Sequence, residues 1–254
     1  MSPPFELGAL PPIEQLLLIA AAAFAASTVA AVAGFGGSAI LLPLFVPAFG
    51  PRDAVLILTI VQLVGNVSRV VFNRHELVLP VVGWFSLGAV PFAILGGIAF
   101  ATAPLALLTR LLGGLLIGLV VWRHLPAVRS WGRPGMSLRR FAILGAASSF
   151  VSALVGTIGP LLVPFFLAYG LVKGAFIGTE ALSTVVIQVV KLGTYAGTAV
   201  LTPLSVAVGA GLAPVMIAGS LFGKRVLDGL SDRVFVLIVE ATMVIAGITF
   251  LLGA

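Results

Sequence analysis

The chain has 254 residues, of which 60% are hydrophobic and 9% are charged, and its formal net charge is +6. About a quarter of the residues in a soluble domain are charged, so this composition excludes an ordinary soluble fold and indicates a membrane protein with several spanning segments. The absence of cysteine excludes disulfides, cysteine metal sites and thiol catalysis.

Five helical segments are predicted in the first half of the chain. The first follows Pro11-Pro12, lacks the basic region of a cleavable signal peptide and is expected to be retained. It ends at a Gly-rich break that begins at Gly34. The segment after the break reaches the corner Phe49-Gly50 and is a half-helix or a short, strongly buried crossing, because it is well under the length of a full span. The segments cover 13–33, 38–49, 53–72 with Asp53 as its N-cap, 78–101 and 104–123.

The second half repeats this pattern after a polar loop. A helix again ends at a break, which begins at Gly156, and a short proline-containing segment leads to the corner Tyr169-Gly170. Thr202 is the predicted N-cap of the helix that starts at Pro203. The segments cover 139–155, a short stretch ending at 169, 173–196, 203–223 and 233–253.

Basic residues orient these segments in the membrane. If the Arg-rich loop 123–140 is cytoplasmic, counting outward places the corners 73–77 and 224–233 on the cytoplasmic side and the corners 102–104 and 197–202 outside. Both inner corners contain Lys or Arg and both outer corners contain neither, as the positive-inside rule requires. Both termini are then predicted to lie outside.

The resulting fold is an all-α polytopic membrane protein made of two inverted repeats. Each repeat has about five segments, including a broken or short helix interrupted by Gly and Pro, and an odd number of crossings inverts the second repeat relative to the first. This count requires each short segment to cross the membrane. The predicted parts are an N-terminal transmembrane repeat, 1–123, a basic cytoplasmic loop, 124–138, and a C-terminal transmembrane repeat, 139–254.

The two breaks are the first candidates for a substrate site. Interrupted helices at matching positions in two halves are typical of binding sites in transporters, because the freed backbone groups need partners or a wet cavity. A half-helix that starts at a break also presents its positive N-terminal end to an anion. Close helix packing through glycine is the alternative explanation. The candidate residues are Gly34, Gly36, Gly37 and Ser38 in the first break and Gly156, Thr157 and Gly159 in the second.

Two matched pairs of polar residues are the second set of candidates. Asn66 and Arg69 are three residues apart, as are Gln188 and Lys191, so each pair shares a helix face. An amide and a cation together supply the donors and the counter-charge that a dehydrated oxoanion needs. Alternatively, both cations extend to the lipid headgroups.

Glu180 is an acid within an apolar segment. Such residues pair with a cation, line water or carry a proton. Glu180 is therefore a candidate for proton coupling, and equally a candidate for a structural partner of a buried cation.

The repeated breaks carry a family resemblance. Each is followed by prolines and by a helix of the type Ala54-Val55-Leu56-Ile57-Leu58-Thr59 or Ala175-Phe176-Ile177-Gly178-Thr179. This arrangement resembles the TauE/SafE family of sulfite-exporter-like permeases over nearly the whole chain. The resemblance implies a bacterial inner-membrane permease for small sulfur-containing anions, such as sulfite, organosulfonates or thiosulfate.

Among function classes, the sequence favours a secondary transporter that moves such an anion by alternating access. An anion channel, or an intramembrane enzyme or assembly factor, stays open as an alternative. We expect no enzyme activity, cofactor, metal or nucleic acid, because none of the corresponding motifs is present. The expected partners are the anion and the lipid bilayer, and a homodimer is left open.

The basic-residue asymmetry generates a topology prediction. In this cysteine-free chain, a cysteine placed at Ser130 should react with an impermeant thiol reagent only from the cytoplasm, and cysteines at Ser2 and Gly253 only from outside. Labelling of the two ends from opposite sides would contradict the ten-segment count.

Overall fold

A computed structural model describes residues 12–35, 37–104, 106–108, 110–111, 136–157, 159–231 and 234. These residues form helices and connections, with no strand among them. Most of the basic loop 124–138, Gly36, and most of the segments 104–123 and 233–253 lie outside the described residues. The helices are α1 (Ile13–Ala33), α2 (Gly37–Phe72), α3 (Leu79–Thr102), α4 (Arg140–Val155), α5 (Gly159–Ala168), α6 (Lys173–Gly197), α7 (Pro203–Gly211) and α8 (Ala213–Asp228).

Five helical stretches in the described part are long and apolar enough to cross a membrane. Many of their large apolar side chains, among them Leu17, Leu87 and Val189, are exposed on the protein surface. An apolar exterior of this kind suits contact with lipid, so the chain is a membrane-spanning protein. The stretches are Ile13–Ala33, Ile40–Phe72, Leu79–Thr102, Lys173–Gly197 and Pro203–Asp228.

Both predicted breaks and both corners are present, and each is built on a glycine with positive φ. Gly34 and Gly156 end α1 and α4 in the left-handed conformation, each with its N–H bonded to the carbonyl four residues earlier. Gly50 and Gly170, with φ of 78° and 95°, form the corners. Glycine adopts this backbone conformation without steric cost, which explains its use at all four positions.

Of the two predicted N-caps, the structure confirms one and contradicts the other. Thr202 accepts a hydrogen bond from the N–H of Ser205 and so caps α7, as predicted. Asp53 is not an N-cap, because the chain turns at Gly50 and helix resumes at Pro51 within α2. Its carboxylate instead accepts a hydrogen bond from the Thr202 hydroxyl at 2.6 Å.

Contacts between connections define the two ends of the helix bundle. At one end, called the Glu76 end, Lys224 Nζ lies 4.0 Å from a Glu76 carboxylate oxygen, and Gly174 packs against the same carboxylate. At the other end, called the Asp53 end, Thr202 binds Asp53, and Arg52 donates to the carbonyl of Ala103 at 2.8 Å. The corners predicted to share a side therefore share an end, and which end faces the cytoplasm stays a prediction.

Small residues bring two pairs of parallel helices into close contact. In the pair α3 and α4, Gly88 lies against Ala142 and Gly96 against Phe150. In the pair α1 and α8, Gly219 lies against Phe24 and Gly223 against Thr28. Since α8 ends at the Glu76 end and α3 starts there, α1 runs toward that end and α4 runs away from it.

The contact between α3 and α4 generates a stability prediction. A methyl group at Gly88 would overlap the Ala142 carbonyl, so Gly88→Ala should force the helices apart at a cost of about 1–3 kcal/mol. Gly83→Ala is the matched control in the same helix, because nothing lies within 4 Å of a Cβ at that position. We expect a lower Tm in detergent for Gly88→Ala alone, and equal Tm values for the two variants would contradict the prediction.

Candidate functional site

The two breaks meet in the interior of the protein. The hydroxyl oxygens of Ser38 and Thr157 are 2.6 Å apart, and a Cβ at Gly159 would lie 3.1 Å from the Phe35 Cβ. The first short helix starts here at Gly37, and α5 starts here at Gly159. Two helix N-termini, whose first N–H groups have no partner within their own helix and whose dipole ends are positive, therefore lie in one region.

A cavity of about 50 Å³ lies at this meeting point. It has room for a few water molecules or a small polyatomic anion, since one water needs about 10–15 Å³ by this measure. Predicted site residues that line it are Gly34, Gly37, Ser38, Asn66, Arg69, Thr157, Gly159 and Glu180. Gly156, Gln188 and Lys191 are not among the lining residues.

Arg69 is buried, with 6% of its surface exposed, so it does not extend to the headgroups. Its Nη1 donates to the carbonyls of Gly34 at 2.7 Å and Ala30 at 3.1 Å, and its Nη2 donates to Asn66 Oδ1. These carbonyls belong to the negative end of α1, where a cation is favoured. Arg69 thus satisfies the end of the broken helix and contributes positive charge to the cavity.

Glu180 is the counter-charge of Arg69. Its Oε2 lies 3.4 Å from Arg69 Nη1, and its Oε1 accepts a hydrogen bond from Thr184 at 3.0 Å. The carboxylate is 2% exposed, and a buried carboxylate requires such partners. The structure therefore contains the predicted pairing with a buried cation, and the coupling role stays a prediction.

Gln188 and Lys191 lie behind residues that line the cavity. Gln188 Nε2 donates to Gln62 Oε1 at 2.6 Å, and Lys191 Nζ donates to the hydroxyl of Ser152 at 3.4 Å. Gln62 and Ser152 are lining residues, whereas their partners are not. Lys191 is fully buried, so it too does not reach the headgroups.

Several polar lining residues were missed by the sequence analysis. Gln62 lies one turn before Asn66, and Thr184 lies one turn after Glu180, so the helical spacing that selected the matched pairs could have found both. The missed serines lie on helices that are far apart in sequence, so no spacing along the chain predicts that they line one cavity. The missed polar residues are Ser27, Gln62, Ser152, Thr184 and Ser220.

The buried ion pair generates a prediction about stability. Glu180→Gln should leave the guanidinium of Arg69 without a counter-charge, which costs about 3–5 kcal/mol when one partner of a buried pair is removed. We expect a lower Tm and yield, with partial recovery in the double variant Arg69→Gln, Glu180→Gln. Glu76→Gln is the control, because Glu76 is 49% exposed and surface pairs contribute only about 0–1 kcal/mol. Wild-type stability of Glu180→Gln would contradict a structural ion pair.

Comparison with known families accounts for most of the chain. Neither the curated proteins nor the solved structures give a significant match. The family model described as Sulfite exporter TauE/SafE matches residues 19–250, which include both breaks and every residue of the candidate site. The chain therefore belongs to the TauE/SafE family of sulfite-exporter-type membrane transporters.

Proposed function

We propose that this protein is a secondary transporter that moves a small sulfur-containing anion across the inner membrane by alternating access. The sulfite, organosulfonate and thiosulfate class is the proposed substrate class. The observation that carries the proposal is the cavity at the meeting point of two interrupted helices, with the Arg69 guanidinium at its edge. Membership of a sulfite exporter family supports the choice of substrate class.

The cavity offers the contacts that a dehydrated oxoanion needs. The hydroxyls of Ser38 and Thr157 and the N-terminal N–H groups of two short helices can donate to its oxygens, while Arg69 supplies positive charge. These donors and this charge together replace the water molecules that the anion loses on binding. Without them, the free-energy cost of removing an ion from water would be too high.

Glu180 competes with the anion for Arg69. An anion that binds the guanidinium must either share it with the carboxylate or arrive when the carboxylate is protonated. Protonation of Glu180 removes its negative charge and frees Arg69 for the substrate, which supports Glu180 as the coupling residue.

Alternating access requires that the site open to either end of the bundle. The helices α1 and α4 reach the meeting point from opposite ends, which supports two inverted repeats. Related residues also make related contacts: Arg69 binds the last turn of α1, and Lys191 binds Ser152 near the end of α4. The same number of residues separates Ala30 from Ser152, Gly34 from Gly156, Asn66 from Gln188, and Arg69 from Lys191.

Uptake into proteoliposomes tests the proposal. Sulfite, thiosulfate and sulfoacetate should be transported by the purified chain, with sulfate and chloride as comparison anions. Arg69→Gln should weaken sulfite binding by about 1.5–3 kcal/mol, or about 10- to 150-fold, because a charged hydrogen bond is lost. Arg69→Lys should recover only part of this loss, since an ammonium cannot reproduce the planar fork of arginine.

Controls separate transport from stability. Arg225→Gln removes an exposed cation of α8 and should leave sulfite affinity unchanged. Equal affinities of the wild-type chain and folded Arg69→Gln, at the same pH and salt, would remove Arg69 from the site. If the fluxes of chloride and sulfite were similar and did not saturate with anion concentration, the protein would instead be identified as a channel.

A further inference from the structure

The helices α2 and α6 face each other along a polar seam. Arg69 contacts Glu180, and Gln62 contacts Gln188, so the two helices are antiparallel. This register places Asn66 level with Thr184 and Thr59 level with Lys191. The polar seam is the pair of facing helix surfaces whose polar residues are Thr59, Gln62, Asn66 and Arg69 on α2 and Glu180, Thr184, Gln188 and Lys191 on α6. From Arg69 to the level of Lys191 it extends about 15 Å, at 1.5 Å per residue.

Charge is distributed unevenly along the seam. Arg69 and Glu180 compensate each other next to the central cavity. Lys191, toward the Asp53 end, has no carboxylate within 4.0 Å in the described part of the chain, where its ammonium contacts the Ser152 hydroxyl. A desolvated ammonium with a single neutral partner is poorly stabilised, so the charged form of Lys191 is favoured when an anion lies beside it.

A thin wall separates Lys191 from the central cavity. Ser152 and Gln62 line the cavity on one side and bind Lys191 and Gln188 on the other. The bond between the two glutamines leaves Gln62 Nε2 and Gln188 Oε1 buried without a partner among the described residues. A half-satisfied amide pair is a weak point in an otherwise packed wall, since unpaired buried polar groups raise the free energy of the closed arrangement.

We propose that Lys191, with Ser152 and Gln188, forms a second anion-binding position in series with the central cavity, which the anion reaches when the Gln62–Gln188 hydrogen bond parts. This inference rests on the proposed transport of a small oxoanion. The central position holds its anion with the fixed fork of Arg69 and two helix N-termini. The second position offers a flexible point charge, which attracts an oxoanion with less geometric demand.

The weaker second position suits passage of the anion. A site that binds tightly and has no neighbour retains its ion, whereas successive sites of moderate affinity let the ion leave. The seam connects the two positions without requiring the anion to enter an apolar layer. Movement from Arg69 to Lys191 carries the anion toward the Asp53 end.

The experiment compares sulfite binding with sulfite flux in the full chain. Lys191→Met keeps the length and apolar stem of the side chain and removes the charge. We expect wild-type sulfite affinity in a thermal-shift titration, because the central cavity is intact, and flux reduced by about tenfold or more, because a charged contact on the route is lost. Ser152→Ala should also slow the flux, while Ser148→Ala should not, because the Ser148 hydroxyl bonds to Gly145 within its own helix.

The possible results separate the inference from the proposed function. Wild-type flux in Lys191→Met, or a loss of sulfite affinity as large as that of Arg69→Gln, would overturn the second position. If Lys191→Met does not fold, Lys191→Gln decides, because it also removes the charge and Lys191 does not line the central cavity, and wild-type flux in that variant would overturn the inference. No sulfite flux through the wild-type chain would overturn the proposed function and this inference with it.

Discussion

A helix that stops inside an apolar protein leaves backbone carbonyl groups that need hydrogen-bond partners, and in this chain the breaks that end α1 and α4 contact each other through Ser38 and Thr157. At the end of α1, the Gly34 N–H returns to Ala30, and Arg69 donates to the carbonyls of both residues. At the end of α4, the Gly156 N–H returns to Ser152. The carbonyl groups at the end of α1 explain why a buried cation lies at the centre of a largely apolar molecule.

This arrangement orients the guanidinium of Arg69 before any substrate arrives. Two carbonyls, Asn66 and Glu180 hold it, so the proposed binding of an anion would cost little conformational entropy of this side chain. In the proposed function, the anion competes with Glu180 for this guanidinium. If the anion binds Arg69 as proposed, substrate binding and the charge state of Glu180 are linked through one guanidinium.

The sequence predicts more of the architecture than of the candidate site. Glycine marks the breaks and corners because few other residues tolerate a positive φ, and apolar runs mark the spans. The position of the turn before the third segment was harder to predict. Asp53 is a residue type typical of N-caps, but the chain turns at Gly50, three residues earlier. For the site, helical spacing selected Asn66 and Arg69. Their contacts depend on how distant helices pack, so the Gln62–Gln188 bond could not be read from the sequence.

The glycine contacts between helices have a mechanical consequence. Each closely packed pair joins the two halves of the chain, because α3 and α1 come from the first half and α4 and α8 from the second. Backbones in direct contact leave no flexible side chains to accommodate sliding, so we expect the two helices of each pair to move as one rigid unit. A movement of one half of the chain relative to the other as two rigid bodies would break both contacts. In the described part of the chain, the short helix that starts at Gly37 and α5 belong to neither pair, so we expect any pivoting to occur at the glycines that follow them, Gly50 and Gly170.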